Sequence, residues 1–351
     1  MPYSVWRWAL SNQSFISRIS GRAKQTLPEK PVRIYTSNSI PLICTSAIST
    51  ENGLIRLPHQ PTSLPPCDQT KTSPVLTKLV ASPTGVLAVG LTGELWEVDW
   101  TDKSETNNPI ALTTDNLVTI PGLVVDAAAG DDHMLAVTDD GTVWARGNGQ
   151  YGRLGTGDHK NEDDFVPLEF FSSRPVLSKG RVTRVGCGSA FSAALTDTGV
   201  LFLWGLNDAG QLGQGEAGGD FYSSKRYPVT VPYFDREKTK IVDFACGEKH
   251  VVAVSENGVV YYWGAGDWVE PRPLTIPSIF EAGIKNIQGL TAVSKFTFLF
   301  NRDGKLWYKG KVDSELFPKN ASFGEVDPFD SENVQDITCS HSECIAVTTS
   351  A

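Results

Sequence analysis

Apolar residues along 124–158 fall in three short runs separated by turn chemistry. Val124, Leu135, Val137 and Val143 sit in runs of strand length, and Thr138-Asp139-Asp140-Gly141 carries the Asp-Gly pair that a tight hairpin needs for its positive-φ positions. A strand, a loop and a hairpin make most of one small antiparallel sheet. Such a sheet cannot bury its own faces, so it needs neighbours of its own kind.

The unit recurs at 182–215 and at 241–263, and the hairpin glycine extends the series to Gly53, Gly93, Gly141, Gly199, Gly258 and Gly304. Three positions after five of these stands an aromatic, Trp96, Trp144, Phe202, Tyr261 or Trp307, expected to fill the space between neighbouring sheets. A second series is a proline followed by a hydrophobic residue at Pro31, Pro74, Pro109, Pro167, Pro228, Pro273 and Pro328. Proline lacks a ladder donor, so each is expected on an outermost strand. The C-terminal run 344–351 matches a second strand and Val5-Trp6-Arg7-Trp8-Ala9 matches the strand after a hairpin. Joined, the two ends predict a seventh sheet and a closed ring without an exposed edge.

The recurring Ala or Cys-Gly-x-x-His, the apolar strand, Thr-Asp-x-Gly, the aromatic, Trp-Gly and Gly-Gln-Leu-Gly resemble the repeat of the regulator of chromosome condensation family. That resemblance implies an all-β, seven-bladed β-propeller. The expected architecture is one propeller domain over 1–351, with blades near 34–75, 79–110, 124–168, 182–229, 241–274 and 284–329, the last being 334–351 completed by 4–32.

Composition agrees with an all-β chain: 351 residues, 40% hydrophobic, nine Trp, 32 Gly and 21 Pro suit short strands, dense turns and stacked sheets. A formal charge of −9 argues against a polyanion-binding surface, so nucleic acid is an unexpected partner. Cys187, Cys246 and Cys339 occupy equivalent repeat positions and are expected as small buried residues, in a reducing compartment. No cofactor or metal is expected, since Cys-x-x-Cys pairs are absent. No 18-residue apolar run predicts a membrane span. The location expected is cytoplasmic or nuclear. A mitochondrial one is the alternative, because Arg7, Arg18, Arg22 and Lys24 precede the first acidic residue, Glu29.

No Gly-x-Ser-x-Gly, Walker loop or His-Glu-x-x-His is present, and His133 and His250 share a repeat position. A structural role is expected for both, donating to a carbonyl inside the same blade, and no catalytic residue is assigned. Insertions at 159–181, 216–240 and 313–333 are the expected carriers of function. In the second, Phe221, Tyr222 and Arg226 are candidate partner contacts. The function expected is a non-catalytic protein-interaction propeller, an adaptor or regulatory subunit. The resemblance also implies the alternative, a guanine-nucleotide exchange factor for a small GTPase of the Ran or related class, in which Asp131 and Asp132 would help dislodge nucleotide. The matching turns depart from that pattern, with Ser189, Ala190 and Phe191 in one and Glu248 and Lys249 in the next.

Overall fold

The computed structural model describes residues 3–9, 23–27, 31–36, 46–50, 53–57, 76–81, 85–99, 114–172, 178–217, 223–274, 287–293, 296–301, 305–310, 324–326, 333–339 and 343–349. In chain order, β1 (Tyr3–Ala9) and β2 (Ala23–Leu27) precede a three-stranded sheet of β3 (Pro31–Thr36), β4 (Ser46–Thr50) and β5 (Gly53–Leu57). Five four-stranded meanders follow. Blade A is β6 (Leu76–Ala81), β7 (Gly85–Gly90), β8 (Leu95–Asp99) and β9 (Leu117–Val118), and blade B is β10 (Val124–Ala129), β11 (His133–Thr138), β12 (Val143–Gly147) and β13 (Glu162–Pro167). Blade C is β14 (Val182–Cys187), β15 (Phe191–Thr196), β16 (Leu201–Gly205) and β17 (Lys225–Thr230). Blade D follows the helix α1 (Pro232–Glu237), and comprises β18 (Ile241–Cys246), β19 (His250–Ser255), β20 (Val260–Gly264) and β21 (Trp268–Pro273). Blade E is β22 (Ile287–Val293), β23 (Phe296–Asn301), β24 (Leu306–Lys309) and β25 (Gly324–Val326). Last come β26 (Asn333–Cys339) and β27 (Glu343–Thr349), which join β1 and β2 in a sheet of order β2-β1-β27-β26.

The expected count of seven blades is therefore corrected to five. Among the described residues, blades A to E alone are four strands consecutive in sequence; the described part of 31–57 gives three strands, and the terminal sheet is assembled from β1, β2, β26 and β27. The proline series misled the count. Pro167, Pro228 and Pro273 do lie in outer strands, but Pro31 opens β3 and pairs with Thr50, so it is the start of a first strand. Pro at a strand's first residue loses no ladder bond there either, which is why the residue type cannot separate the two places. The pairing of the chain ends is present, with Val5 opposite Val347 and Trp8 opposite Cys344.

Each first strand carries a register shift at the same place, as at Val124/Asp126, Val182/Arg184 and Ile241/Asp243. A bulge adds a residue and turns the strand, so the repeat includes a built-in kink as well as a hairpin. The hairpin glycines Gly93, Gly141, Gly199 and Gly258 have φ of 89°, 88°, 88° and 74°, the left-handed region that their turns demand.

The chain divides into two compact units, one of Met1–Leu91, Leu95–Val118 and Glu281–Ala351, the other of Thr92–Glu94 and Thr119–Phe280. Within the second unit blades B, C and D pack face to face. Leu135, Val137 and Ala145 of blade B meet Val185, Phe202 and Trp204 of blade C, and Phe191, Leu201 and Leu203 of blade C meet Phe244, Tyr261 and Trp263 of blade D. The expected filling role holds for Phe202 and Tyr261, 2% and 8% exposed. Trp144 is half-buried, its indole N–H 3.4 Å from the Thr138 hydroxyl. Two of the expected functional insertions are part of this core. Phe171, in a 3-10 turn after β13, sits 5.5 Å from Phe202 and 5.9 Å from Trp204, and Phe234 of α1 sits 5.1 Å from Tyr261 and 5.7 Å from Trp263, ring centroid to ring centroid.

Candidate interaction site

The glycine-rich loop between the third and fourth strands of each of blades B and C reaches under the next blade. Leu154 and Leu212 are buried in the following interface, and the buried indoles of Trp204 and Trp263 donate to the carbonyls of Arg153 and Gln211, both at 2.9 Å. Gly-Gln-Leu-Gly and its blade B counterpart are thus clasps between blades. Aromatic N–H groups buried this way need an acceptor, and the loop carbonyl supplies it.

At the same end of these blades the turns after the first strands lie side by side. The Asp131 amide donates to the Ser189 carbonyl at 3.3 Å, and the Ser189 amide donates to the Glu248 carbonyl at 3.0 Å. Gly130 is required by this approach, because a Cβ there would stand 2.4 Å from the Gly188 carbonyl oxygen. The Ser189 hydroxyl donates to Asp131 Oδ2 at 2.6 Å. Asp132 faces outward, 65% exposed, with Oδ2 3.7 Å from Nη1 of Arg153.

Arg153 is buried, donates through Nε to the Gln150 carbonyl at 3.0 Å, and stacks 5.8 Å from the Tyr151 ring. Burial holds its guanidinium below the ordinary arginine value, with Asp132 and Asp131 opposing that shift. Beside it, His133 Nε2 lies 2.9 Å from Ser192 Oγ, whose own hydrogen goes to the Arg153 carbonyl at 2.7 Å. A hydroxyl has one hydrogen, so Nε2 is the donor and His133 is the Nε2–H tautomer. Desolvation, then the Arg153 charge, lowers its pKa to about 3, against a hydrogen bond to the Phe191 backbone. A neutral imidazole with that pKa is no general base near neutral pH. The expected structural role stands, but the partner is a hydroxyl of the next blade and not a carbonyl of the same one.

A second row of charges runs along the first strands. Asp126 Oδ2 accepts the Val185 amide at 2.9 Å, Arg184 pairs with Asp243, and Asp243 Oδ1 also accepts the Phe244 amide at 2.7 Å. Lys249 Nζ reaches Asp208 at 2.5 Å.

Of the residues singled out in the sequence, Asp131 and Asp132 come together on the turn, one held by Ser189 and the other exposed. Arg226 is exposed in β17, and its carbonyl accepts the Gly157 amide at 3.2 Å, so Arg226 lies against the blade B loop that carries Arg153. Phe221 and Tyr222 lie outside the described residues. Tyr227, 54% exposed next to Arg226 on the same strand, belongs to the aromatic and charged mixture of the second insertion but was not among the candidate contacts, and sequence reasoning missed the buried Arg153. The signal for Arg153 was present, since it stands where the neighbouring repeat has Gln211.

The profile of the Regulator of chromosome condensation (RCC1) repeat matches residues 140–195 and 198–254, and a second profile of the same repeat matches 124–153 and 182–211. Over these residues the chain carries RCC1 repeats. It is 28% identical over 244 residues to the human E3 ubiquitin-protein ligase HERC2, a match covering 64% of this chain and 5% of HERC2. Among solved structures it resembles human WBSCR16, with TM-score 0.72 and 16% identity over 99% of both chains. It also resembles Prp20p of Saccharomyces cerevisiae, with TM-score 0.71 and 17% identity over 100% of this chain and 92% of that one, in a structure titled for its binding properties to Gsp1p and histones. At these identities the likeness establishes the fold, a β-propeller of the RCC1 type.

Proposed function

We propose that this chain is a non-catalytic protein-interaction propeller, an adaptor or regulatory subunit acting as one domain over 1–351 in the cytoplasm or nucleus. One observation carries the reading. Among the described residues, His133, Ser192, Arg184 and Asp243, side chains from which chemistry could have been built, are spent on links between blades, and Arg153 is spent on its own blade's turn and loop. Exposed at the turn and loop end, among other residues, are Asp132, Arg226 and Tyr227, charged and aromatic groups suited to a protein contact. Phe221 and Tyr222 extend this candidate contact along the sequence. No cofactor is needed for such a role. Affinity capture with the full chain, against an Asp132→Ala, Arg226→Ala double variant, is the test: the variant is expected to lose a protein that the wild type retains, and identical captured sets would sink the assignment of this surface.

A second reading is nucleotide exchange on a small GTPase, since Asp132 is 65% exposed beside Asp131. Exchange needs only a surface that binds the nucleotide-free GTPase better than the loaded one. Against it, Asp131 is held by Ser189, and blades C and D offer Ser189 and a Glu248, Lys249 pair in place of further paired carboxylates. Fluorescent-nucleotide release from Ran is expected to show no strong acceleration. Acceleration abolished by Asp131→Ala with Asp132→Ala would make exchange the function.

A further inference from the structure

In the terminal sheet the register of β26 and β27 sets Cys339 directly opposite Cys344. Opposed residues of an antiparallel pair project to one face with Cα atoms about 4.5–5.5 Å apart. A disulfide spans Cα separations of about 4.4–6.8 Å, and the separation of directly opposed residues falls within that range.

The repeat shows what this position is. Its counterparts are Ala129 opposite Met134, Cys187 opposite Ser192 and Cys246 opposite Val251. Cys187 and Ser192 are both buried toward blade B, the first in the cluster with Leu154 and the second on the Arg153 carbonyl. Cys246 and Val251 share the next interface. The pair is therefore a same-face pair wherever its side chains are described, and among the described residues Cys339 and Cys344 are the one register pair with cysteine on both strands.

We propose that Cys339 and Cys344 form a modification site, a cross-strand disulfide made by exchange with a low-molecular-weight disulfide such as oxidised glutathione. One thiol, as its thiolate, attacks the glutathione disulfide and releases one glutathione. The second thiol then attacks the mixed disulfide and releases the other. The balance is two protein thiols and one glutathione disulfide giving one protein disulfide and two glutathione thiols, the protons passing from protein to glutathione. The bond fastens β26 to β27, and β27 is the strand that pairs with β1, Cys344 standing opposite Trp8. Oxidation would therefore staple the sheet that unites the two ends of the chain.

The test equilibrates the full-length protein across glutathione redox ratios, traps thiols by alkylation and reads the protease peptides by mass. No Lys or Arg follows Lys319, so trypsin leaves both cysteines in one peptide, and the internal bond appears as a loss of two hydrogens. The expected result is that this peptide becomes internally linked and unreactive while Cys187 and Cys246, with Ser192 and Val251 opposite them, remain thiols. The single variants Cys339→Ser and Cys344→Ser should show no linked peptide, and the oxidised wild type should melt a few degrees above its reduced form. Retention of two alkylatable thiols at every ratio would overturn the proposal, as would accumulation of glutathione on either cysteine in place of the internal bond.

Discussion

Blades B and C have the same skeleton and fill it differently. Both have the bulge after the first residue of the first strand, a hairpin glycine near φ 88° and an outer strand with proline. Under the turn glycine, blade B places the His133 ring and blade C the Phe191 ring; a Cβ at Gly130 would meet the first at 2.4 Å, and a Cβ at Gly188 would meet the second at 1.9 Å. The repeat therefore specifies a flat ring packed beneath a glycine. The polarity of that ring is set by its neighbour, since His133 has the Ser192 hydroxyl to meet and Phe191 lies among Leu203, Val251 and Trp263. A histidine that recurs in such a place records packing, not chemistry.

The loops differ in the same way. Gln211 Oε1 accepts the Ala209 amide at 2.8 Å, closing the blade C loop on itself. Arginine has no acceptor to offer. At the matching place in blade B, Tyr151 takes the left-handed conformation, φ 61°, and Arg153 turns its donors to Gln150 and Asp132 instead.

The largest expected effect tests the packing half of this comparison. Phe202→Ala and Trp204→Ala each remove a ring buried between blades B and C and should cost about 3–5 kcal/mol in denaturant unfolding. Trp144→Ala, at the same strand position as Phe202 but half-buried, should cost clearly less, about 1–2 kcal/mol. Equal losses at 144 and 202 would show that the two blades do not use this position differently.

Next is the ring under the glycine. His133 titrates at about 3 when folded against an ordinary 6.5, so below pH 6.5 the unfolded chain binds the proton that the folded chain refuses. Its contribution is present above pH 6.5 and is lost as pH falls toward 3, by a few kcal/mol in all. His133→Phe copies blade C and leaves the Ser192 hydroxyl bonded to the Arg153 carbonyl. The variant is expected to hold wild-type stability to within about 1.5 kcal/mol at pH 7, the scale of a tolerated core exchange, and to lose less on acidification. An unchanged acid slope would mean that the folded protein accepts a proton on His133.

Much of blades B to D is legible in the sequence because the signals are local. An Asp-Gly, Thr-Gly or Asn-Gly hairpin, an aromatic three residues on and a Gly-x-x-His or Gly-x-x-Phe turn each sit within one repeat, and the structure places Gly141, Gly199, Gly258, Phe202 and Tyr261 accordingly. What escaped reading depends on the next repeat. That Ser192 would be the partner of His133, 59 residues away, or that Trp204 would need the Arg153 carbonyl, 51 residues away, is set by packing between blades. Phe171 and Phe234 were read as belonging to insertions because they lie outside the repeat's periodic part, yet burial draws them into the interfaces. Pro31 failed for a different reason, since the ends and the beginnings of blades tolerate proline equally.

Arg153→Gln installs the blade C residue in the blade B loop. It removes a buried cation and supplies an acceptor, so its cost is expected within about 1 kcal/mol, whereas Arg153→Ala should cost about 2–4 kcal/mol through lost packing and the lost Nε bond to the Gln150 carbonyl. If both variants lose the same amount, the equivalence of the two loops fails.

The smallest expected effect on stability is at Asp132, and its smallness is informative. Arg153 is 6% exposed and Asp132 is 65% exposed at 3.7 Å, so the partners of this ion pair stand in very different surroundings. Removing the buried member disturbs a packed loop, but removing the exposed one leaves Arg153 with the Gln150 carbonyl and the charge of Asp131. Water screens what is lost, so Asp132→Ala should cost no more than about 1 kcal/mol, as exposed ion pairs do. Blade C supports this, since it has Ala190 at the corresponding place and folds around it. A double-mutant cycle of Asp132→Ala with Arg153→Gln measures the coupling. A value above about 2 kcal/mol would make Asp132 a structural counter-ion, and its carboxylate would no longer be a group kept at the surface for a partner.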